Sequence, residues 1–521
     1  MQFYSGNLSI ISGISKKPGL ICRFPQKSVT FSMIRNHFPI LILSVLFAAS
    51  CGGPGGHGTA PGPEPYGPVP TEAQLKWQRM ERNLFLHFGP NTFSGKEWGD
   101  GMEPEDLFAP TGLDCRQWAR TAAESGFKGL ILTGKHHDGF CLWPNPESRH
   151  TVAQSAWQGG HGDVLRELSD ACREYGLSFG VYISPWDRND PHYGSDAYND
   201  VYVRTLQSAL SSYGPVYELW FDGANGEGPN GKRQVYDWPR FHETVRSLQP
   251  DAVMFSDIGP GCRWCGNERG YNGRTSWSTL SPEGFTPGAG APPRDTLQQG
   301  NVHGTDWIPS EVDVSIRPGW FWKKSENDKV KTLDQLLEIY YRSVGRNALL
   351  LLNVPPDTRG RLHETDSTRL MEFSRALDEI FSEDLAEGAS VKATSTWDRC
   401  GRFDAGNVVD ADDESYWAAM DGDTTPWITL ELPEERTFNR ILLQEYLPLG
   451  QRIASFTIDA IDGEGNWKRI AEETTVGYKR IVCVPEVRTR SLRLCIERAY
   501  APPVLSRIAL YEDRISPYLD K

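Results

Sequence analysis

A (β/α)8-like TIM barrel, an α/β fold, followed by a C-terminal antiparallel β-sandwich is the architecture this chain predicts, on three observations. Its 521 residues are too many for one compact core, so two or more domains are expected. From about residue 71 to 385, short apolar runs alternate with amphipathic helical segments. After residue 386, apolar and polar residues alternate, with glycine-bearing turns between the runs.

Seven runs in the first region read as strands: Leu84–Phe88, Gly129–Thr133, Ser178–Ile183, Tyr217–Phe221, Ala252–Phe255, Val312–Ile316 and Ala348–Val354. They are apolar without strict alternation, which fits parallel strands covered on both faces. Between them, Val164, Leu165, Leu168, Ala171, Cys172 and Tyr175 fall on one helical face. Thr332 with Gln335 makes a capping box ahead of Leu333, Leu336 and Leu337. An eighth strand is not legible, so an irregular stretch is expected in a barrel spanning 71–385. In 386–521, Leu492, Leu494 and Ile496 alternate with Arg493, Cys495 and Glu497, and Phe456 and Ile458 with Thr457 and Asp459. That period of two, with Asp462-Gly463-Glu464-Gly465 as a turn, predicts the sandwich.

Residues 1–51 read as a leader. Arg35 precedes the apolar run Phe38 to Ala49, and small residues then lead to Cys51, the pattern of an export signal. The run is short for a membrane span. Cys51 after Ala48-Ala49-Ser50 resembles a bacterial lipobox, so lipid attachment at Cys51 is expected, with Met33 as an alternative start. Residues 52–70, rich in Gly and Pro, read as a tether. The expected location is the periplasm or outer membrane of a Gram-negative bacterium, with the lipid as the only membrane contact.

A net charge of −14 repels phosphates and excludes a nucleic-acid partner as the expectation. The 17 tryptophans suit either core filling or stacking on sugar faces. Among the ten cysteines, Cys141 and Cys172 lie in apolar patterns and read as buried thiols. Cys262 and Cys265 form one C-x-x-C without the second pair a zinc ribbon needs, and a local disulfide between them stays open.

In a parallel barrel, chemistry sits at the C-terminal ends of the strands. His87 ends the first predicted strand, and His136, His137 and Asp138 follow the second. Tyr182 lies near the end of the third, Asp222 ends the fourth, and Glu268 is on the loop after the fifth. A lone strand-end Asp often caps the next helix, but this many polar residues at one mouth exceed what a core requires. Adjacent strand residues point to opposite faces, so His136 and His137 are not expected to share a metal ion. Cleaving a glycosidic bond takes two carboxyl groups, one ionised and one protonated. Asp222 has the short stem of a positioned nucleophile; Glu268, beside apolar Trp264, has the reach of a general acid and base.

The runs Leu84-Phe85-Leu86-His87-Phe88-Gly89, Glu97-Trp98-Gly99-Asp100-Gly101, Gly134-Lys135-His136-His137-Asp138-Gly139-Phe140, Leu219-Trp220-Phe221-Asp222-Gly223-Ala224 and Pro318-Gly319-Trp320-Phe321-Trp322 resemble the α-L-fucosidases of glycoside hydrolase family 29 across the whole barrel. Gly266-Asn267-Glu268-Arg269-Gly270 resembles the branch acting on α-1,3 and α-1,4 fucosyl linkages. The resemblance implies retaining cleavage of terminal α-L-fucose from fucosylated glycans, with no cofactor or metal in the chemistry. Asp222 matches the nucleophile and Glu268 the acid/base. His87, Glu97, Trp98, His136, His137 and Tyr182 match sugar-binding residues, and Trp320 an aromatic wall. Arg263 and Trp264 are further substrate-side candidates, with a structural role for Arg263 left open. Asn407-Val408-Val409-Asp410 and Thr425-Pro426-Trp427-Ile428-Thr429-Leu430 resemble discoidin, or factor 5/8 type C, modules. That module is expected either to bind glycan or to brace the barrel. A structural Ca2+ near Asp410, Asp412 and Asp413 stays open. The rival readings are a non-catalytic surface glycan-binding lipoprotein, a hydrolase of a related sugar such as α-L-galactose, and a metal-dependent hydrolase.

Overall fold

The computed structural model describes residues 61–397 and 401–520. The leader, Cys51 and the tether up to residue 60 lie outside the described residues. Eight parallel strands close a barrel: β1 (Arg82–Leu86), β2 (Gly129–Lys135), β3 (Ser178–Ile183), β4 (Glu218–Trp220), β5 (Val253–Ser256), β6 (Cys262–Trp264), β7 (Ser310–Ser315) and β8 (Ala348–Asn353). Each strand pairs with its chain neighbours, and β8 closes on β1 with Leu84 beside Leu352.

Side-chain parity organises the barrel. Leu84, Leu86, Leu130, Leu132, Leu350 and Leu352 pack outward with the helices. Phe85, Ile131, Tyr182, Trp220, Phe255, Cys262, Leu349 and Leu351 fill the interior. The helix Val164–Glu174 buries the predicted stripe, and Asp163 caps it by accepting the Arg166 amide. Leu333–Arg342 starts with the predicted capping box at Thr332. Trp77, from the helix Glu72–Met80, enters the interior core.

The eighth strand is β6. It is three residues long, centred on Arg263, and follows β5 through residues 257–261 with no helix between. Neither an apolar run nor a helical period marks it, which is why the sequence pattern passes over it. Glu268 therefore follows the sixth strand rather than the fifth. Residues 265–309 then form an excursion with the short helix Arg294–Gln299 and the strand pair Thr279–Leu280 with Asp306–Trp307.

The C-terminal sheet is antiparallel. Its order is Trp417–Ala418, Val504–Tyr511, Trp427–Glu445, Arg480–Ala499, Ile453–Ile461 and Trp467–Glu473, with Ser390–Ala393 pairing Trp427–Glu445 off this path. The two long strands change register between Glu431 and Arg436. The inward set of the predicted alternation, including Phe456, Ile458, Leu492, Leu494 and Ile496, forms its core. Asp410 and Asp412 spend their carboxylates on their own turn: Asp410 accepts from the Asp412 amide at 2.9 Å and the Ser415 hydroxyl at 2.7 Å, and Asp412 from the Glu414 amide at 3.0 Å.

The sandwich braces the excursion after β6. Arg274 forks onto Glu473 at 2.8 and 2.9 Å. The Ser276 amide donates to Thr475 Oγ1 and the Ser278 amide to Gln451 Oε1, each at 2.8 Å. Leu442, Ile481, Cys483, Ala509 and Tyr511 join the barrel's outer core, so the two layers share one hydrophobic cluster.

Candidate active site

Inward parity on β4 runs through Glu218 and Trp220 and carries Asp222 to the mouth of the barrel. The next position is glycine, and a Cβ on Gly223 would lie 2.1 Å from an Asp257 carboxylate oxygen and force that side chain to move. Asp222 Oδ1 accepts the Ala224 amide at 2.7 Å, and Oδ2 accepts the Tyr182 hydroxyl at 3.0 Å. His137 Nε2 stands 3.8 Å from Oδ2. Burial raises the Asp222 carboxyl above the ordinary aspartate range, although the two donors pull it down. Glu268 sits at the exposed rim, where its Oε2 accepts the Trp320 indole N–H at 3.3 Å. Desolvation, and then the fields of Asp222 and Glu97, push its carboxyl up.

His87, His136 and His137 line the pocket with both acids. Parity from Phe85 brings His87 inward, and its Nδ1 pairs with Asn353 Oδ1 at 2.9 Å. The expectation that His136 and His137 face opposite sides is corrected. The register shifts between Thr133 and Lys135, β2 ends there, and both rings enter the pocket with centroids 4.2 Å apart. His137 Nδ1 pairs with Ser184 Oγ at 2.8 Å, whereas the buried His136 Nδ1 has no protein partner. Burial holds His87 and His137 down to about 3, and His136 is also lowered, so all three are neutral at ordinary pH.

Glu97 ties the first loop to the seventh: it accepts the Trp320 amide at 2.8 Å and pairs with Lys323. Trp98 is 53% exposed, edge-on to His137 and Trp186. Trp220 and Phe85 form the floor, and Trp220 stacks on Phe255 at 3.8 Å. Beneath it, Trp220 donates to Glu311 at 2.8 Å and Trp77 to Glu218 at 2.7 Å. Glu218 is pushed up to about 7 by burial and Glu311 is raised too, so this buried pair retains a proton.

Three predicted site residues do not line this pocket. Tyr182 is fully buried and reaches it only through its hydroxyl, which donates to Asp222 Oδ2. Arg263 has the opposite parity to Cys262 and Trp264, so it points out of the barrel. Its guanidinium is fully buried on the carbonyls of Leu297, Trp277 and Ile308. It is corrected to a scaffold residue that pins the excursion. Trp264 points inward but donates its N–H to Asp313 Oδ1 at 2.8 Å, reaching the pocket only through that carboxyl. Cys262 and Cys265 are free, buried thiols. Pattern reading missed Asp313, Asn353 and Trp220. The alternation Ser310-Glu311-Val312-Asp313-Val314-Ser315 is the signal that marks two inward acids on one strand.

The pocket holds about 160 Å3, below the roughly 300–1,000 Å3 of drug-sized sites and on the scale of one sugar ring. A larger groove, about 630 Å3, lies where β3 begins, at the end of the barrel opposite to where such folds place their chemistry. A parallel barrel with two unequal carboxyl groups, neutral imidazoles and aromatic walls around a ring-sized pocket defines a glycoside hydrolase. Comparison with known proteins narrows the class. Residues 71–379 match the alpha-L-fucosidase family model, and residues 407–494 match a NedA-like, galactose-binding domain. Alpha-L-fucosidase 1 of Arabidopsis thaliana is 42% identical over 460 residues, covering 88% of this chain and 90% of that protein. A Ruminococcus gnavus GH29 fucosidase mutant solved with fucose is 32% identical, with a TM-score of 0.82 over 88% of this chain and 97% of that one. A glycoside hydrolase 29 family member from an unknown rumen bacterium is 38% identical, with a TM-score of 0.77 over 88% and 79% of the two chains. The chain belongs to the α-L-fucosidase family, glycoside hydrolase family 29, with a discoidin-like C-terminal domain.

The two carboxyl environments set a pH profile. One acid must be ionised and one protonated, and both are shifted upward. With Asp222 as the nucleophile and Glu268 as the acid, the roles proposed below, activity rises as Asp222 loses its proton and falls as Glu268 loses its own. We expect a bell-shaped kcat/KM with both limbs above ordinary carboxylate values, and loss of the alkaline limb in Glu268→Gln with the acid limb unmoved. An alkaline limb that survives in Glu268→Gln belongs to another group.

Proposed function

We propose that this α-L-fucosidase removes terminal α-1,3- and α-1,4-linked L-fucose from glycans with retention of configuration. The observation that supports it best is the pairing of Asp222, fixed by two donors deep in a ring-sized pocket, with Glu268, held at the rim by Trp320. In the first step the Asp222 carboxylate attacks the anomeric carbon while Glu268 gives its proton to the departing glycosidic oxygen. In the second, Glu268 takes a proton from water, which displaces Asp222 and releases fucose. Donors from Ala224 and Tyr182 fix the attacking oxygens without neutralising them. The neutral histidines exchange hydrogen bonds with ring hydroxyls. Phe85, Trp220 and Trp320 offer apolar faces to the sugar's C–H surfaces. The linkage preference rests on the run Gly266-Asn267-Glu268-Arg269-Gly270.

Proton NMR of the first-formed product tests the stereochemistry: two inversions give α-L-fucose before mutarotation, and β-L-fucose would overturn the covalent mechanism. A panel of α-1,2, α-1,3, α-1,4 and α-1,6 fucosylated oligosaccharides tests the linkage. Release should be confined largely to the 1,3 and 1,4 isomers, and equal release from all four would remove the preference.

A further inference from the structure

A third carboxyl faces the same pocket. Asp313 lies on β7, where inward parity places Glu311 beneath the floor and Asp313 at the level of the sugar site. Its side chain is nearly buried, and one oxygen accepts the Trp264 indole N–H. Among the described residues, no lysine, arginine or histidine forms an ion pair with it. The groups around it are Glu268 on the loop after β6, Asp222 at the end of β4, Glu311 two residues below and the neutral His87, His136 and His137 across the pocket. The pocket lining thus carries four carboxyl groups, Glu97, Asp222, Glu268 and Asp313, and only Glu97 has a cation beside it. A dry carboxylate next to other carboxylates is disfavoured unless it keeps its proton. Burial first, then Glu268, drive the Asp313 carboxyl well above the aspartate range.

We propose that Asp313 binds the substrate as a neutral carboxylic acid, its second oxygen donating a hydrogen bond to a sugar oxygen in the pocket. The role follows from what the other walls lack. Asp222 is an acceptor when ionised, and Glu268 must spend its proton on the glycosidic oxygen. His87 and His137 already use one ring nitrogen each on Asn353 and Ser184. A carboxyl held neutral supplies a fixed donor without adding a charge that would hinder Asp222 from carrying its own. Trp264 anchors the other oxygen and so sets the direction of the O–H. The proposal rests on this pocket being the fucose site.

Asp313→Asn and Asp313→Ala separate the possibilities, measured with 4-nitrophenyl α-L-fucopyranoside and by calorimetry with L-fucose. The amide keeps a neutral donor. Asp313→Asn should hold kcat/KM within about threefold of the parent, with both pH limbs unmoved. Asp313→Ala, which leaves a cavity and no donor, should lose tenfold or more, mainly in KM and fucose affinity. Infrared difference spectra on adding fucose should show a protonated-carboxyl C=O band that shifts in the parent and is missing in Asp313→Asn. That readout stands even where the alanine variant does not fold. A large loss or a shifted pH limb in Asp313→Asn overturns the proposal, because it would mean an ionised Asp313. Full activity in Asp313→Ala, or the same infrared band in Asp313→Asn, overturns it too. If the parent itself binds no L-fucose, the sugar-site reading fails rather than the role of Asp313.

Discussion

Asp222→Asn is expected to lower turnover by at least about 10^4-fold while the protein folds and still binds L-fucose. At about 1.4 kcal/mol per tenfold, that is at least about 5 kcal/mol of transition-state stabilisation. The amide occupies the same volume and can keep the Ala224 N–H on its oxygen. The Tyr182 hydroxyl then has to turn from donor to acceptor toward the new NH2 group, a change both groups can make. What is lost, on the proposed mechanism, is the charge that forms the bond to the anomeric carbon. An unchanged melting temperature and persistent fucose binding would separate chemistry from folding. Residual activity within a hundredfold of the parent would remove Asp222 from the nucleophile's role.

Glu268→Ala should behave differently. Its loss depends on the leaving group, because a general acid matters most when the departing oxygen is a poor leaving group. For a natural oligosaccharide we expect a fall of about 10^2- to 10^4-fold, the usual range for general acid catalysis. An activated aryl fucoside, which leaves without a proton, should lose far less in its first step. Azide, which needs no general base, should then restore turnover and yield the α-fucosyl azide, since two inversions return the starting configuration. The Trp320 indole, which donates to Glu268 in the parent, loses its partner at an exposed rim where water can replace it. A uniform loss across leaving groups, with no azide product, would count against Glu268 as the acid and base.

How much of this site was legible in the residues differs from element to element. Asp222 and His87 were legible because each sits two positions beyond an inward apolar or aromatic strand residue, where strand parity continues into the mouth. His136 and His137 were legible as candidates but not in orientation, since the register shift at the end of β2 breaks the alternation used to orient them. Arg263 stays open between a substrate-side and a structural role in the sequence because β6 is too short to show its parity, and only that strand points its guanidinium outward. Asp313 was passed over because the predicted strand began at Val312, which hid the alternation of Glu311, Asp313 and Ser315. Glu97 was identified by motif resemblance, but its bridge to the Trp320 loop joins residues more than two hundred positions apart.

The sequence by itself determined the layer architecture and the local chemistry. Apolar runs separated by helical stripes bury themselves as a parallel sheet covered by helices, and a period of two beyond residue 386 buries one face of an antiparallel sheet. The tertiary structure alone decided the charge state of the site. Three imidazoles are neutral and the Asp222 and Asp313 carboxyls are raised because they converge in one largely buried pocket, with Glu268 raised at its rim partly by the neighbouring acids, and that burial belongs to the assembled mouth rather than to any segment. It also decided that the sandwich grips the excursion at Ser276 and Ser278, a few residues beyond the loop that carries Glu268. Contacts between loops some two hundred residues apart leave no periodic mark along the chain, so only the closed barrel and its docked sandwich reveal them.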